Sequence, residues 1–268
     1  MTVEHRMRSG TGAESPGLQL FPLPGVPLID PGTDLVRLIC DVAQREGFAL
    51  RDGDVLVVAQ KIVSKAEGRY VDLAAIEPGE QAVALSARVQ KDARLVEVIL
   101  NESRKVLRHR PGVLIVEHKL GFVLANAGVD QSNVDPQRGT KPVLLLPEDP
   151  DGSARRLHEG LRLQLGKSVA VIINDSLGRA WRRGSVGVAL GAAGLPALSD
   201  LRGRPDLYGR PLQVSETGFA DEIAAAASLL MGQADEATPI IVVRGLKWSA
   251  KGSPAAQLLR DPKEDLFR

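Results

Sequence analysis

The amino-acid sequence predicts a mixed α/β (α+β) fold, and three observations support that prediction. Apolar, β-branched runs typical of buried strands occur in both halves of the chain, for example at Ser168–Asp175. Amphipathic helical patterns lie between these runs, but the two kinds of element do not alternate strictly. The chain of 268 residues is 44% hydrophobic and 25% charged, which is ordinary for a globular protein with a sizeable core.

The N-terminal half opens with a stretch rich in Gly, Ser and charge, residues 1–17, which is expected to be a disordered leader. Apolar periodicity then predicts each element in turn. These are an edge strand within LQLFPLPGVPLI, a helix over Asp34–Glu46 capped by Thr33 and ended by Gly47, a buried strand over Asp54–Ser64, a helix over about 80–102, and three short strands between residues 106 and 128.

The C-terminal half contains the most apolar strand pattern and an alanine-rich helix pattern, and no internal repeat or long linker interrupts it. Its predicted elements are a strand over Lys141–Pro147, a helix over Ser153–Leu165, a strand over Ser168–Asp175, a Gly- and Ala-rich stretch at 184–198, a surface loop over Arg202–Gln213, a helix over Ala220–Met231, a strand at 239–245 and a polar tail with one short helix.

Composition excludes several classes of function. A net charge of +1 argues against broad neutralisation of nucleic-acid phosphates, and an aromatic content of 3% argues against platforms that stack bases. The single cysteine, Cys40, allows no intramolecular disulfide and no cysteine-based zinc site, which fits a cytoplasmic protein. No apolar run approaches the length of a membrane span, and the N-terminus does not resemble a signal peptide.

The segment GLRLQLGKS at residues 160–168 outlines a nucleotide-phosphate loop but fails two tests. Five residues separate Gly160 from Gly166, whereas that motif needs four. The order of elements is also wrong, because a helix precedes the segment and a strand follows it. We therefore predict an ordinary helix-to-strand connection with Gly166 as the C-terminal glycine of the helix.

Two acidic positions just after apolar runs are candidates for a metal site. Asp130 follows a strand and a glycine turn in ANAGVDQSNVD, and Asp175 with Ser176 follows the most apolar strand in VIINDSLGR. Carboxylates and hydroxyls at strand ends suit Mg²⁺ or Mn²⁺ bound to phosphates better than zinc. The alternative is that both aspartates form turns by accepting hydrogen bonds from nearby backbone amides.

Basic residues for phosphate oxygens could come from AQKIVSKAEG, where Lys61 and Lys65 are four residues apart. Their alternative role is that of a solvated, charged loop. Gln233, in the MGQADEAT segment after the alanine-rich helix, is either a metal ligand or has no role in a site.

Taken together and in order, five blocks of this sequence resemble the coenzyme F-420 glutamate ligases (gamma-glutamyl ligases). The blocks are LPGVPLIDPGTDL, DGDVLVVAQKIVSKAEGR, ANAGVDQSNVD, VIINDSLGRAWRRGSVGVALG and EIAAAASLLMGQADEATPIIVVRG. The resemblance covers about residues 20–247 and implies one ligase domain at 18–250, followed by a polar tail at 251–268. It also implies a two-lobed mixed-sheet fold and an intertwined homodimer.

The resemblance implies a GTP-dependent amide ligase that acts on a deazaflavin precursor ending in a phospholactyl carboxylate. The carboxylate would take the γ-phosphoryl group of GTP, and the amino group of L-glutamate would displace phosphate from the acyl phosphate. A second glutamate would be added through the γ-carboxyl. Mg²⁺ or Mn²⁺ is the implied divalent cofactor, with K⁺ as a monovalent one. The physical logic agrees, since phosphorylation gives a carboxylate a good leaving group.

Site residues follow by matching motifs. The implied metal positions are Asp130, Asp175, Ser176 and Gln233. The implied GTP-contacting positions are Leu23, Pro24, Gly25, Val26, Gln60, Lys61, Lys65, Asn133, Met231, Gly232, Gln233, Ala234, Asp235, Glu236, Ala237 and Thr238. No general base is implied.

Three arginines in LGRAWRRGS, Arg179, Arg182 and Arg183, lead to a hypothesis from the residues themselves: they hold the anionic precursor or the incoming glutamate. Two other functions remain open at this point. One is another ligase of carboxylates and amines that uses a nucleoside triphosphate, and the other is a non-catalytic protein that binds the deazaflavin.

Overall fold

The computed structural model describes residues 17–266 and has a mixed α/β architecture, as predicted. Its helices are α1 (Leu35–Arg45), α2 (Gln60–Ala66), α3 (Glu80–Val89), α4 (Ala93–Asn101), α5 (Pro150–Leu165) and α6 (Phe219–Met231). Its strands are β1 (Gln19–Pro22), β2 (Val55–Ala59), β3 (Tyr70–Asp72), β4 (Ser103–Arg110), β5 (Val113–His118), β6 (Val123–Ala125), β7 (Pro142–Leu144), β8 (Ala170–Gly178), β9 (Ser185–Ala193), β10 (Ser199–Asp200), β11 (Glu216–Thr217) and β12 (Ile240–Arg244). The predicted leader, apart from Gly17, lies outside the described residues.

A five-stranded sheet forms the centre of the molecule, with the strand order β1-β12-β2-β8-β9. Only the β2–β8 pair is parallel, and the other three pairs are antiparallel. Strand β12, formed near the end of the chain, therefore lies between strands formed near its start. This arrangement places the carboxyl ends of β2 and β8 at the same edge of the sheet as the first residue of β12.

Both faces of this sheet are covered. On one face, alternate residues such as Leu56, Val171 and Val242 pack with α1, α2 and α5. On the other face, the intervening residues, such as Val57 and Ile172, pack with α6. The central strands are buried on both sides, which explains why their sequences are continuously apolar rather than alternating.

A third hydrophobic cluster lies around α3, α4 and strand β5. Here the order β4-β5-β6 makes a separate antiparallel sheet, and β3 pairs with β7 beside it. Leu114 and Val116 of β5 are fully buried and contribute to this cluster. A small fourth cluster, which includes Leu124 of β6 and Leu177 of β8, joins the three-stranded sheet to the central one.

The predicted strand over Asp54–Ser64 is wrong in its second half. The strand ends at Ala59, where the Ala59 amide donates to the carbonyl oxygen of Pro239 (2.8 Å), and a seven-residue helix, α2, follows. Ile62 and Val63 pack into the core from this helix. A short apolar run cannot distinguish a strand that continues from a strand that turns into a helix.

Three other boundaries differ from the predictions. The helix expected over about 80–102 is two helices, because Gln90 is left-handed (φ 54°) and Asp92 caps α4. Asp34 rather than Thr33 caps α1, and its carboxylate accepts a hydrogen bond from the Arg37 amide. Strand β8 continues past Asp175 to Gly178, because it pairs with the Gly- and Ala-rich segment that forms β9.

The prediction that GLRLQLGKS connects a helix to a strand is confirmed. Helix α5 ends at Leu165, Gly166 is its left-handed C-cap (φ 63°), and β8 begins at Ala170. Gly160 lies within the helix, where a side chain would collide with Val36. Among residues 17–266, no helix is both long enough and apolar enough to cross a membrane.

Candidate functional site

Four segments predicted to form the site meet at one edge of the central sheet. The Leu23 amide donates to the Ile240 carbonyl oxygen (2.9 Å), so the segment after β1 lies beside the start of β12. Ala59, the last residue of β2, contacts Pro239 on one side and pairs with Asn174 on the other. The stretches that follow β1 and β2, precede β12 and surround Asp175 are therefore neighbours.

Asp130 reaches this edge from the three-stranded sheet. Its backbone forms an antiparallel bridge with Leu144, in which each amide donates to the other residue's carbonyl oxygen (N···O 3.0 and 2.8 Å). This bridge fixes Asp130 at the end of β7. Its carboxylate accepts hydrogen bonds from the Ser132 amide (2.7 Å) and hydroxyl (3.0 Å), and it forms an ion pair with Lys61 (2.8 Å). Burial raises the pKa of Asp130, but Lys61 and Ser132 outweigh it, so the pKa lies below its usual value.

Lys61 and Lys65 lie one turn apart on α2 and both reach the loop after Asp130. The Lys61 ammonium donates to the carbonyl and hydroxyl oxygens of Ser132, each at 2.8 Å. The Lys65 ammonium donates to the carbonyl oxygen of Asn133 (2.8 Å). Burial, together with the nearby charge of Lys61, lowers the pKa of Lys65. Both lysines are therefore held by specific contacts, which argues against a freely solvated loop.

Asp175 is half-buried on β8 and lies within electrostatic range of Asp130 and Lys61. Burial raises its pKa to about 6, and the negative charge of Asp130 adds to the rise. The Ser176 amide, which donates to its carboxylate at 2.9 Å, and the charge of Lys61 oppose the rise only in part. Lys61 is paired with Asp130, and within residues 17–266 Asp175 forms no ion pair of its own, an arrangement that favours an added cation.

The loop at residues 231–238 closes the other side of the edge. The amide side chain of Asn133 donates to the carbonyl oxygen of Ala234 (3.1 Å), which links this loop to the Asp130 loop. Within the loop, the Glu236 carboxylate accepts from the Ala234 amide (2.7 Å). The amides of Ala234, Glu236 and Gln233 lower the pKa of Glu236. Backbone amides that surround a carboxylate in this way can also hold a phosphate oxygen.

Two polar residues at the edge were not among the predicted site residues. Ser132 contacts both Asp130 and Lys61. Asn174 is buried, donates to the Ser228 hydroxyl (3.2 Å) and the Met231 sulfur (3.4 Å), and has a carbonyl oxygen with no hydrogen-bond partner among the described residues. The sequence feature that could have indicated Asn174 as a site residue is its position as a polar side chain at the end of the most apolar run.

Other predicted site residues contribute less direct contact. Leu23 is fully buried, and the Gly25 carbonyl accepts from Arg45 (2.6 Å). The Gln60 side chain is buried and accepts from the Ser64 hydroxyl (2.9 Å). Gln233 is exposed, and its side chain makes no hydrogen bond within residues 17–266. Its predicted part in a metal site is therefore not supported by a contact.

The three arginines Arg179, Arg182 and Arg183 lie in the turn that joins β8 to β9 and are exposed. Arg179 donates to the carbonyl oxygen of Gly184 (3.1 Å). Four residues of extended strand separate Arg179 from Asp175, which is roughly 13 Å. Within one chain, the arginines therefore lie away from the two carboxylates.

The chemistry of the edge suits a magnesium-type ion that is completed by its ligand. Among the described residues, no group of three or more His, Cys, Asp or Glu side chains converges on one point. Mg²⁺ commonly takes only one or two carboxylates from the protein and fills its octahedron with water and phosphate oxygens. Asp130, Asp175 and the Ser176 hydroxyl are the kind of hard oxygen donors such an ion prefers.

Comparisons with known proteins agree with the motifs. Residues 25–245 match the model of the family described as F420-0:Gamma-glutamyl ligase. The chain is 44% identical over 254 residues to the coenzyme F420:L-glutamate ligase of Methanothermobacter thermautotrophicus, covering 94% of this chain and 99% of that protein. It is 46% identical over 257 residues to the ligase of the same name from Methanopyrus kandleri, covering 94% and 98%. For the Archaeoglobus fulgidus ligase the identity is 45% over 251 residues, covering 94% and 96%.

Proposed function

This chain belongs to the F420-0:gamma-glutamyl ligase family and is a ligase that forms carbon–nitrogen bonds, and we propose that it attaches L-glutamate to the coenzyme F-420 precursor with GTP as co-substrate. The first glutamate is joined by its amino group to the phospholactyl carboxylate, and later ones are γ-linked. GDP and phosphate are released.

The observation that supports this proposal best is the meeting of four separate segments at one sheet edge. Two carboxylates, Asp130 and Asp175, lie there with two partly buried lysines, Lys61 and Lys65. A site that transfers a phosphoryl group needs this combination, because the main tasks are positioning and neutralising phosphate charge. A protein that only bound a deazaflavin would have no evident use for two carboxylates within electrostatic range of each other.

We place the divalent cation at Asp130, Asp175 and Ser176, with Gln233 as a further oxygen donor. Bound there, Mg²⁺ or Mn²⁺ supplies neutralisation of the phosphate charge. Lys61 and Lys65 contact the phosphate oxygens. The amides of the 231–238 loop, which now donate to the Glu236 carboxylate, donate to a phosphate oxygen instead when GTP binds. The segment Leu23–Val26 and Asn133 complete the nucleotide contacts.

Two displacement steps make up the reaction. In the first, an oxygen of the precursor carboxylate forms a bond to the γ-phosphorus of GTP, and the bond from that phosphorus to GDP breaks. In the second, the uncharged amine of glutamate forms a bond to the acyl carbon, the phosphate leaves with the electron pair of the carbon–oxygen bond, and the nitrogen loses a proton. The residues at the edge align the reactants and exclude water, which is the greater part of such catalysis.

We further propose that the protein is a two-lobed, intertwined homodimer in which the β8–β9 turn contacts a second copy. Large apolar side chains are exposed on this turn and on the loop between β10 and β11, with Trp181 at 87%, Leu207 at 101% and Tyr208 at 85% of full exposure. Large apolar side chains exposed in this way are typical of association surfaces. A partner chain would bring the three arginines towards a substrate that one chain alone cannot reach. Light scattering at micromolar concentration is expected to give twice the mass of the chain.

The test is mass spectrometry of the products formed from the glutamate-free precursor, L-glutamate, GTP and Mn²⁺. We expect products heavier by one or more glutamyl units, and we expect an Asp175→Ala variant to form none. Omitting GTP or replacing it with ATP tests the nucleotide.

Each negative result has a distinct meaning. Glutamate transfer without GTP would overturn the nucleotide assignment, and activity with a different acid only would favour another carboxylate–amine ligase. GTP binding without hydrolysis in the presence of both substrates would favour a non-catalytic role. Charge reversal at Arg182 that leaves both Michaelis constants unchanged would refute the arginine hypothesis.

A further inference from the structure

One surface strand is strongly basic in a chain that is nearly neutral overall. Strand β4 reads SRKVLRHR and contains no acidic residue, whereas the whole chain has a net charge of +1. Lys105, Arg108 and Arg110 are exposed on it, as is Arg104. We call the proposed site around Asp130, Asp175, Lys61 and Lys65 the nucleotide edge. It gives no explanation for the concentration of charge on this one strand.

The register of the three-stranded sheet shows which way these side chains point. Residues directly opposite each other on neighbouring strands share a face. Lys105 pairs with Glu117, Arg108 with Ile115 and Arg110 with Val113, whereas the alternate residues of β5 are buried in the core. Lys105, Arg108 and Arg110 therefore lie on the outer side of the sheet. Arg104 falls at the bulge between Ser103 and Lys105 and reaches the Glu117 carboxylate on that side, and we call these four residues the basic face.

The basic face has little internal neutralisation. Arg104 lies 3.7 Å from the carboxylate of Glu117. Within residues 17–266, Lys105, Arg108 and Arg110 form no ion pair with an acidic side chain. Strand β4 is also an edge strand of its sheet, so no strand of the described chain covers it. A concentrated positive charge that a single glutamate offsets only in part attracts an anionic ligand.

The basic face begins close to the nucleotide edge. Arg108, Ile115 and Ala125 form one row across β4, β5 and β6. Ala125 leads directly through the turn at 126–128 to Asp130, and β6 packs against β8, the strand of Asp175. Two strand spacings, about 10 Å, separate Arg108 from Ala125. A flexible chain that leaves the edge along this row would therefore meet the basic face.

We propose that the basic face binds the oligo-γ-glutamyl tail of the growing product, an inference that rests on the proposed function. Each γ-linked glutamate leaves its α-carboxylate free, so the tail gains one negative charge with every unit added. The guanidinium group of arginine can bind a carboxylate through two parallel hydrogen bonds. The first glutamate is too short to leave the edge. The basic face therefore acts on later additions and leaves the first one unchanged.

The experiment compares the parent protein with a double charge reversal, Arg108→Glu with Arg110→Glu. Product length is measured by mass spectrometry in excess glutamate, and the rate of the first addition is measured in the same reactions. A matched control reverses Arg51 and Arg162, two exposed arginines that lie before β2 and on α5. Direct binding of tetra-γ-glutamate, measured by calorimetry in low salt, provides a readout that does not depend on turnover.

We expect the β4 variant to add the first glutamate at the parental rate, to make shorter products, and to bind tetra-γ-glutamate about tenfold more weakly, because each reversed charge turns an attraction into a repulsion. The control should behave as the parent. Equal tail lengths and equal affinities in parent and β4 variant would overturn the inference, as would a parent that stops at one glutamate. A variant that changes only the oligomeric state would instead assign this face to contact with a second copy. If the parent adds no glutamate at all, the proposed function itself fails.

Discussion

Two polar clusters in this protein use similar residues but differ in how well their carboxylates are paired with basic side chains. The first is the nucleotide edge with Asp130, Asp175 and Lys61. The second, which we call the Glu102 cluster, holds one carboxylate among three basic side chains: the distances from Glu102 are 3.1 Å to Arg69, 3.3 Å to Lys119 and 3.7 Å to His118. The adjacent His118, followed by Lys119 and Arg69, lowers the pKa of Glu102 despite its burial.

The difference separates a structural cluster from a site that accepts a ligand. In the Glu102 cluster, positive charge exceeds negative charge, and Arg69 also donates to the Leu146 carbonyl oxygen (2.9 Å), so the cluster ties its strands together. At the nucleotide edge, Asp175 has a pKa of about 6 because burial and Asp130 oppose its charge. A buried carboxylate left short of positive charge costs stability, and functional sites are where such costs occur.

The largest expected effect tests most directly whether Asp175 has a functional role and Glu102 a structural one. Asp175→Ala should lower the turnover number by at least about 10³-fold, which corresponds to about 4 kcal/mol of lost transition-state stabilisation. Glu102→Gln should leave it within about threefold. Both are measured by glutamyl transfer under saturating substrates, with circular dichroism to establish folding. A folded Glu102→Gln variant as inactive as Asp175→Ala would contradict the distinction.

A smaller loss is expected from Lys61→Met, which keeps the length of the side chain and removes its charge. The Asp130 carboxylate and Ser132 then lose their shared partner. We expect kcat/KM for GTP to fall about 10²-fold, with partial recovery in Lys61→Arg. Lys263→Met, at an exposed position in the tail, serves as the control. An unchanged kcat/KM in Lys61→Met would remove Lys61 from the nucleotide contacts.

Stability should respond to pH in opposite directions at the two clusters. The lowered pKa of Glu102 means that its contribution is present above its usual value of 4.5 and is lost as the pH falls. Glu102→Gln should therefore destabilise the protein by about 1 to 2 kcal/mol at pH 7.5 and progressively less below pH 4. Asp175 has a raised pKa, so it lowers stability by an amount that builds up between its usual value of 3.8 and pH 6, is fully present above pH 6 and is small near pH 4. Asp175→Asn should therefore stabilise the metal-free protein by about 1 kcal/mol at pH 7.5.

Urea unfolding at pH 7.5 and pH 4, with a chelator present, measures both effects. Excess Mg²⁺ should reverse the order at Asp175, because the parent then gains the binding free energy of the ion and the asparagine variant gains less. The same sign of pH dependence in both variants would contradict the proposed difference between the clusters.

The smallest expected effect concerns Glu236, whose carboxylate accepts backbone amides of the 231–238 loop. Glu236→Gln removes a negative charge from the place where we locate a phosphate. GTP should therefore bind two- to fivefold more tightly. Calorimetric titration measures this, with Glu264→Gln, at an exposed position in the tail, as the control. Weaker binding in Glu236→Gln alone would show that the carboxylate assists GTP rather than competing with it.

The sequence predicted the mixed fold and the two aspartates because apolar runs and the polar residues that end them are local patterns. It did not predict α2, since Ile62 and Val63 read equally well as the end of a strand. The role of Asn174 and the contact of Ser132 with Lys61 depend on pairing between distant parts of the chain. The GTP-contacting positions at Leu23–Val26 and in the 231–238 loop stay predictions from the resemblance to the family, because no local pattern in the chain indicates them.

The place of β12 in the central sheet has a consequence for synthesis on the ribosome. Strand β12 fills the gap between β1 and β2, although more than two hundred residues of chain separate Pro22 from Ile240. Until residue 244 emerges, the edge of β2 and one side of the nucleotide edge stay open, which exposes a strand that other chains could pair with. Incomplete chains should therefore be inert and prone to aggregate, and catalytic competence should arise in one late step rather than gradually.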